Sequence, residues 1–325
     1  MITIGDLNGH EAVFLDNGLL RACVLPRKGA DICELTYLPK HTQFLMQTPS
    51  GLKPPKSTPP TDFLENYPGG WQELFPNHND ACCVKGIEIP FHGEVALLPW
   101  NYTIIEDTST TTSLGLSVQC RQTPFRLERR MTMKTGQTAL SVAGQVANTG
   151  NEAWPLVWGH HLTLGGNFLE GGCRLETPAE LILTPDELYE PSTARLAEKQ
   201  ISRWPLAKGR QLEEWVDLQE IPGPEAHSHD DAFLTGFSHG LLIVSNPRLK
   251  LDFKLEWDAS IFPWLTFWQP LGGADLPPLT GIYGIGIEPW VSRYNLAGAL
   301  ENGQAILLQP GQVLKSEIKI TIQEH

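Results

Sequence analysis

Ile282-Tyr-Gly-Ile-Gly-Ile-Glu-Pro-Trp290 alternates with a period of two. As a strand it points Tyr283, Ile285 and Ile287 to one side and Ile282, Gly284, Gly286 and Glu288 to the other. The first set suits a packed core. The second puts a carboxylate on a face whose neighbours lack side chains. Glycine weakens a strand and often marks a place where a ligand or another backbone comes close. Glu288 is therefore a candidate catalytic base, set against the plainer reading of an exposed glutamate at a strand end.

The same period recurs on both sides of this stretch. In Trp154–Leu164, Trp154, Leu156, Trp158, His160, Leu162 and Leu164 share one face, and Pro155, Val157, Gly159, His161 and Thr163 the other. Adjacent histidines in a strand must diverge. His160 falls among large apolar residues and reads as a hydrogen-bonded core histidine, whereas His161, between Gly159 and Thr163, is the better catalytic candidate. Ser113–Cys120 and Phe125–Lys134 alternate as a meander, and Asp16-Asn17-Gly18 between apolar runs is a hairpin signal. Ile87–Trp100 alternates so as to put His92 on a polar face with Glu88, Pro90 and Glu94. Short helical pieces are expected only around Asp186–Lys199, and the proline-rich segment 49–62 reads as a loop with polyproline II character. Many short alternating segments with hardly any helix predict an all-β sandwich or barrel, as one domain over residues 1–325.

Composition narrows the function. A formal net charge of -13 argues against nucleic acid and against an anionic membrane surface. No apolar run is long enough for a transmembrane helix, and no signal peptide is evident. The 6 cysteines form no Cys-x-x-Cys pair, so neither zinc site nor disulfide framework is indicated, and a reducing cytoplasmic setting is expected. The 10 tryptophans offer flat faces suited to sugars. His92, His161, Asp230, Asp231 and Glu288 stand out as titratable candidates. Histidine with glutamate is the usual equipment for proton transfer near neutral pH, with no metal and no nucleophile required.

Three segments carry a family resemblance: Pro90-Phe91-His92-Gly93-Glu94, Trp158-Gly159-His160-His161-Leu162-Thr163-Leu164-Gly165 and Gly286-Ile287-Glu288-Pro289-Trp290. In type and order they resemble the aldose 1-epimerase (galactose mutarotase-like) family. Gly69-Gly70-Trp71-Gln72-Glu73-Leu74-Phe75-Pro76-Asn77 resembles the segment before the first histidine in a divergent branch. The resemblance implies a large β-sandwich (supersandwich) with a sugar in a cleft across one sheet. By matching position, His161 is the general acid at the ring oxygen, Glu288 the base at the anomeric hydroxyl, and His92 a hydrogen-bond donor to the sugar. Asp230, or its neighbour Asp231, holds sugar hydroxyls. Ring opening, rotation about C1–C2 and reclosure need no cofactor, and the partner expected is a small-molecule sugar bound by a monomer or homodimer.

This chain departs from the family pattern. Phe75-Pro76-Asn77-His78 stands where an arginine and an asparagine are usual, Glu94 where a second glycine is, and Leu164 where an aromatic is. Trp71, Asn77, His78, Trp268 and Gln269 either form a different specificity surface or are plain packing. Competing readings are a non-catalytic carbohydrate-binding protein on the same fold, and a hexose-phosphate epimerase suggested by the arginines of Arg121–Arg130. Because Arg126, Glu128 and Arg130 share a face, an ion-paired surface fits that strand better than a phosphate grip. Metal-dependent hydrolysis through His78, His92 and His161 lacks ligand spacing.

Overall fold

The computed structural model describes residues 1–56 and 61–325. Two large antiparallel sheets face each other across one hydrophobic core, with Trp71, Trp100, Trp158, Phe125, Phe253 and Phe262 among its largest buried side chains. The second sheet runs from Arg174–Glu176 through Gly240–Asn246, Leu251–Trp257, Val313–Glu324, Ala139–Asn148, Phe125–Lys134 and Thr111–Gln119 to Asn101–Asp107. Its residues alternate between buried and open positions, most regularly along Phe125–Lys134. One side of that sheet therefore meets the core and the other meets solvent, as the period-2 sequence predicts. The exposed side carries the Arg126–Glu128 ion pair at 2.9 Å, which accounts for this arginine-rich strand as a solvated face.

At the centre of the first sheet lie β1 (Trp71–Leu74), β2 (Gly159–Leu164), β3 (Ser228–Thr235), β4 (Trp264–Leu271) and β5 (Ile285–Trp290). Their spatial order is β1-β2-β5-β4-β3. Hairpins from the N-terminal third flank β1, and Leu181–Leu183 with Ile201–Arg203 continue beyond β3. β1, β2 and β5 are buried at every position. Loops cover the side turned away from the core, so this part of the sheet is enclosed on both faces. That covered centre is where the candidate site lies.

Three details differ from the sequence reading. No helix forms over Asp186–Lys199; the described α-helices are Phe63–Asn66 and Leu296–Glu301. Pro191 interrupts that segment, and its polar groups are drawn to the sheet, with the backbone N–H groups of Arg195 and Leu196 donating to Asp230. The strand beginning at Ile87 ends at Ile89, so strand parity does not place His92. The loop expected over 49–62 falls partly on residues 57–60, outside the described residues, and its other described positions up to Thr61 have no helix or strand. Among the described residues no helix is long and apolar enough to cross a membrane.

Candidate active site

Register decides which side chains meet. Directly opposed residues in an antiparallel pair point to the same face. Gln72 opposes His161, Thr163 opposes Gly286, Gly286 opposes Trp268 and Trp268 opposes Asp231. Glu288 and Trp290 share parity with Gly286. One face thus carries Gln72, His161, Glu288, Trp268 and Asp231. The opposite, core-facing set includes Trp71, Phe267, Ile287, Asp230 and Gln269.

His161 Nε2 stands 3.6 Å from Glu288 Oε1, and both side chains are buried. The separation is slightly long for a hydrogen bond. Trp290 Nε1–H donates to Glu288 Oε2 at 3.2 Å, and Tyr67 and Thr163 link to the far nitrogen of His161 through hydroxyl contacts of 2.8 and 3.4 Å. Burial drives the two titrations apart. It lowers the His161 imidazole to about 4 and raises the Glu288 carboxyl well above the usual carboxylate range.

His92 reaches the same place from a turn. It adopts φ +59°, its backbone N–H bonds to Asn79 O at 2.9 Å, and its Nδ1 accepts from the Asn79 N–H at 3.1 Å. That bond leaves the Nε2 side as the donor of a neutral ring, and burial holds the imidazole well below its ordinary pKa. Its ring centroid lies 5.7 Å from that of His161. The next glycine, Gly93 (φ +75°), lets the turn pass against Phe75, whose carbonyl oxygen would be 2.2 Å from any Cβ there.

Asp231 is half-buried on the site face, and burial lifts its carboxyl to about 6. Asp230, one residue away, points into the core side. Its Oδ1 accepts from the N–H groups of Arg195 and Leu196 at 2.7 and 2.8 Å, and its Oδ2 from Arg195 Nε at 2.7 Å. Gln269 Oε1 accepts from the same guanidinium at 3.0 Å. Asp230 and Gln269 therefore anchor the loop that carries Arg195, and Trp71 packs in the core with its Nε1–H on His160 Nδ1 at 3.2 Å. The structure thus turns these three sequence candidates to the core side of the sheet, away from His161 and Glu288. His160 has the core role its neighbours imply.

A family model described as a domain of unknown function, DUF4432, matches residues 7–322. The chain belongs to the DUF4432 family. No match was found among curated proteins. Solved structures share its fold at low identity. The Slr1438 protein from Synechocystis is 18% identical with a TM-score of 0.70, covering 100% of this chain and 96% of that one. A galactose mutarotase-like protein from Clostridium acetobutylicum is 16% identical with a TM-score of 0.68, covering 100% and 99%. A galactose mutarotase related enzyme from Lactobacillus acidophilus is 16% identical with a TM-score of 0.64, covering 96% and 97%. The fold of this DUF4432 chain is the galactose mutarotase-like β-sandwich.

Around the central pair, the DUF4432 chain uses residues that sequence reasoning passed over. Phe63 and Tyr67 lie over the site, with ring centroids 5.8 and 5.0 Å from His161, and Phe63 packs edge-on to His92 at 4.8 Å. His229 accepts from Trp268 Nε1–H at 2.6 Å and hydrogen-bonds Glu190 through Nδ1. Glu190 in turn accepts from the N–H groups of Asp275 and Leu276, which joins the two loops beside Trp268. Trp290 was legible from parity with Glu288; the covering aromatics had no such signal.

Asn77 and His78 divide. The Asn77 amide is fully used, donating to Asp80 O and Pro90 O at 2.8 and 3.1 Å and accepting from Leu296 N–H at 2.7 Å, so it fixes loops and has no free group for a ligand. His78 stacks on Trp290 at 3.8 Å, donates from Nδ1 to Ser292 O at 3.1 Å, and leaves Nε2 buried without a partner. Burial lowers it to about 3, so that nitrogen is a fixed acceptor. Among the described residues no three His, Cys, Asp or Glu side chains are grouped to hold a metal ion.

The glycines have a different meaning from the one expected. A Cβ at Gly286 would lie 2.4 Å from Glu288 Oε1, and one at Gly284 would meet Met46 and Leu164. Gly286 makes room for the Glu288 carboxylate itself. Gly159 does the same for Trp290, whose ring atoms lie as close as 2.1 Å to a Cβ built there. Gly159→Ala is expected to push Trp290 off Glu288 and to cost about 1–3 kcal/mol of stability through overpacking. Denaturant unfolding checks the second effect, and an unchanged midpoint would contradict the packing described.

Proposed function

We propose that this protein interconverts the α and β anomers of an aldose by general acid–base ring opening and closure, as an aldose 1-epimerase-like isomerase. The observation that carries the reading is the placement of His161 Nε2 and Glu288 Oε1 3.6 Å apart on one covered sheet face. Mutarotation moves a proton between two oxygens bonded to the same carbon. A nitrogen and a carboxylate oxygen at this spacing suit that task, one at the ring oxygen and one at the anomeric hydroxyl. His92 Nε2–H supplies a further donor toward the ring oxygen, and Asp231 and the free His78 nitrogen accept from sugar hydroxyls. The sugar enters by displacing Phe63 and Tyr67 from His161.

The chemistry requires the pair to hold one proton. With the proton resting on Glu288, the carboxyl gives it to one of the two sugar oxygens while neutral His161 takes the proton of the other, and the resulting carboxylate and imidazolium reverse the transfer in the opposite step. As the pH falls through about 4, His161 also becomes protonated and no base remains. As the pH rises through the elevated Glu288 value, the last proton is lost and no acid remains. Anomer exchange followed against pH is therefore expected to be bell-shaped, its limbs belonging to the pair. A flat profile across both limbs would count against a proton shared by these groups.

A non-catalytic sugar-binding protein on the same fold is the second reading. Trp268 and the closed aromatic cover favour it, since they supply a binding face without chemistry.

A further inference from the structure

Three buried side chains beside the proposed pair form a directed hydrogen-bond chain that the acid–base chemistry does not use. Trp268 Nε1–H donates to His229 Nε2 at 2.6 Å, and His229 Nδ1 bonds Glu190 Oε2. Glu190 Oε1 accepts from the N–H groups of Asp275 and Leu276 at 2.8 and 2.9 Å. None of the three side-chain residues is more than 9% exposed. The donor inventory fixes every proton. An indole nitrogen can only donate, so His229 Nε2 carries the lone pair. The neutral ring then has its proton on Nδ1, where the Glu190 carboxylate accepts it. Both Glu190 oxygens are thereby occupied, one by the imidazole and the other by the two backbone N–H groups.

The chain ends on the one aromatic side chain that reaches the pair from across the sheet. β5 lies between β4 and β2. Trp268, on β4, opposes Gly286, and a Cβ there would lie 3.0 Å from Trp268 Cβ. The indole passes over this bare position, and its ring centroid comes to 5.5 Å from that of His161 and 6.3 Å from that of Tyr67. Rotation of an indole about its Cβ–Cγ bond has broad minima, so packing alone sets the plane loosely. The bond at Nε1 fixes it. A flat apolar face held still beside an acid and a base suits the C–H side of a sugar ring.

We propose that Glu190 and His229 are positioning residues for sugar binding: through a single His229 tautomer they lock the Trp268 indole as the wall on which the C–H face of the sugar rests, beside His161 and Glu288. This rests on the sugar site common to the two readings above, and not on the acid–base chemistry.

The test uses the purified protein, Glu190→Gln, Trp268→Phe and the two together, with D-glucose, D-galactose and D-xylose as probes. In Glu190→Gln the amide oxygen takes over the Asp275 and Leu276 N–H groups, which turns the NH2 group toward His229 Nδ1. The imidazole proton is then forced to Nε2, where it confronts the indole N–H. Nitrogen-15 NMR is expected to show His229 protonated at Nδ1 in the wild type and at Nε2 in the variant. The sugar that moves the wild-type Trp268 indole signal is expected to bind Glu190→Gln at least about tenfold more weakly, the equivalent of one charge-assisted hydrogen bond. Any anomer exchange at saturation is expected to change by less than about twofold, because only binding is lost. In the Trp268→Phe background Glu190→Gln is expected to have little effect on affinity, since both act through one bond. A wild-type His229 protonated at Nε2, or no probe that moves the Trp268 signal, overturns the proposal, and neither result depends on a folded variant. Equal weakening by Glu190→Gln in both backgrounds also overturns it, because general loosening of the loops would give that. A lost rate at saturation with unchanged affinity overturns the role in binding. Affinities that follow the expected cycle in a protein without anomer exchange overturn the acid–base reading and leave the positioning of Trp268 standing.

Discussion

Glu288→Gln is expected to abolish most anomer exchange, by about 10²–10⁴-fold, while leaving the fold and the sugar affinity nearly intact. The substitution is a selective probe because glutamine keeps the shape of the side chain and an oxygen to accept from Trp290 Nε1–H. What it removes is the proton-carrying group. Burial is what makes that group useful, since it raises the Glu288 carboxyl and lowers His161, so between the two titrations the pair holds one proton, resting on Glu288. His161→Gln is expected to cost a similar factor, and the double substitution little more than either alone, because residues that act as a unit do not contribute additively. NMR exchange rates with matched binding titrations measure this. A Glu288→Gln protein with unimpaired exchange would remove the carboxylate from the mechanism. An unimpaired affinity in a protein that never exchanged anomers would identify a binding module.

The largest expected effect on stability lies behind the site. Arg129 from Phe125–Lys134 and Glu73 from β1 meet between the two sheets at 3.6 Å, and both are almost wholly buried. Trp158 Nε1–H donates to Glu73 at 3.0 Å, Arg129 donates to Ala30 O, and the guanidinium lies 5.1 Å from the Trp100 ring. Burial raises the Glu73 carboxyl and lowers Arg129, with each charge opposing the other's shift. Glu73→Ala leaves a guanidinium that cannot shed its proton in a dry core. A loss of about 3–5 kcal/mol is expected for that single change. Replacing the pair together, as Glu73→Leu with Arg129→Met, is expected to recover most of it. Urea midpoints of the two variants decide the matter; a loss under about 1 kcal/mol for Glu73→Ala would mean that the pair is solvated. Because β1 and β2 also carry Gln72 and His161, loosening this contact acts directly on the site floor.

Much of this was legible in the sequence, for a definite reason. Strand alternation is local, so Phe125–Lys134 and Trp154–Leu164 declared their buried faces, and His160 and His161 could be told apart by parity alone. Glu288 was legible for the same reason. Asp230 and Asp231 were not separable, because each is equally plausible until register against Glu288 is known, and the structure puts Asp231 on the site face. Of the two signals for His92, the motif and the parity, the parity does not exist: its strand ends at Ile89, and a left-handed turn delivers the ring. The place of Phe63 and Tyr67 over His161 depends on how a long loop returns across the sheet, which local periodicity does not encode. Periodicity also could not show that the space at Gly286 and Gly159 is filled from within, by Glu288 and Trp290.

The central claim is that the buried His161–Glu288 pair opens and closes sugar rings. Anomer-exchange NMR on the purified protein, over neutral, acidic and phosphorylated aldoses, tests it most directly. The account predicts saturable acceleration of α–β exchange for at least one aldose, lost in Glu288→Gln. No acceleration for any of them would contradict it.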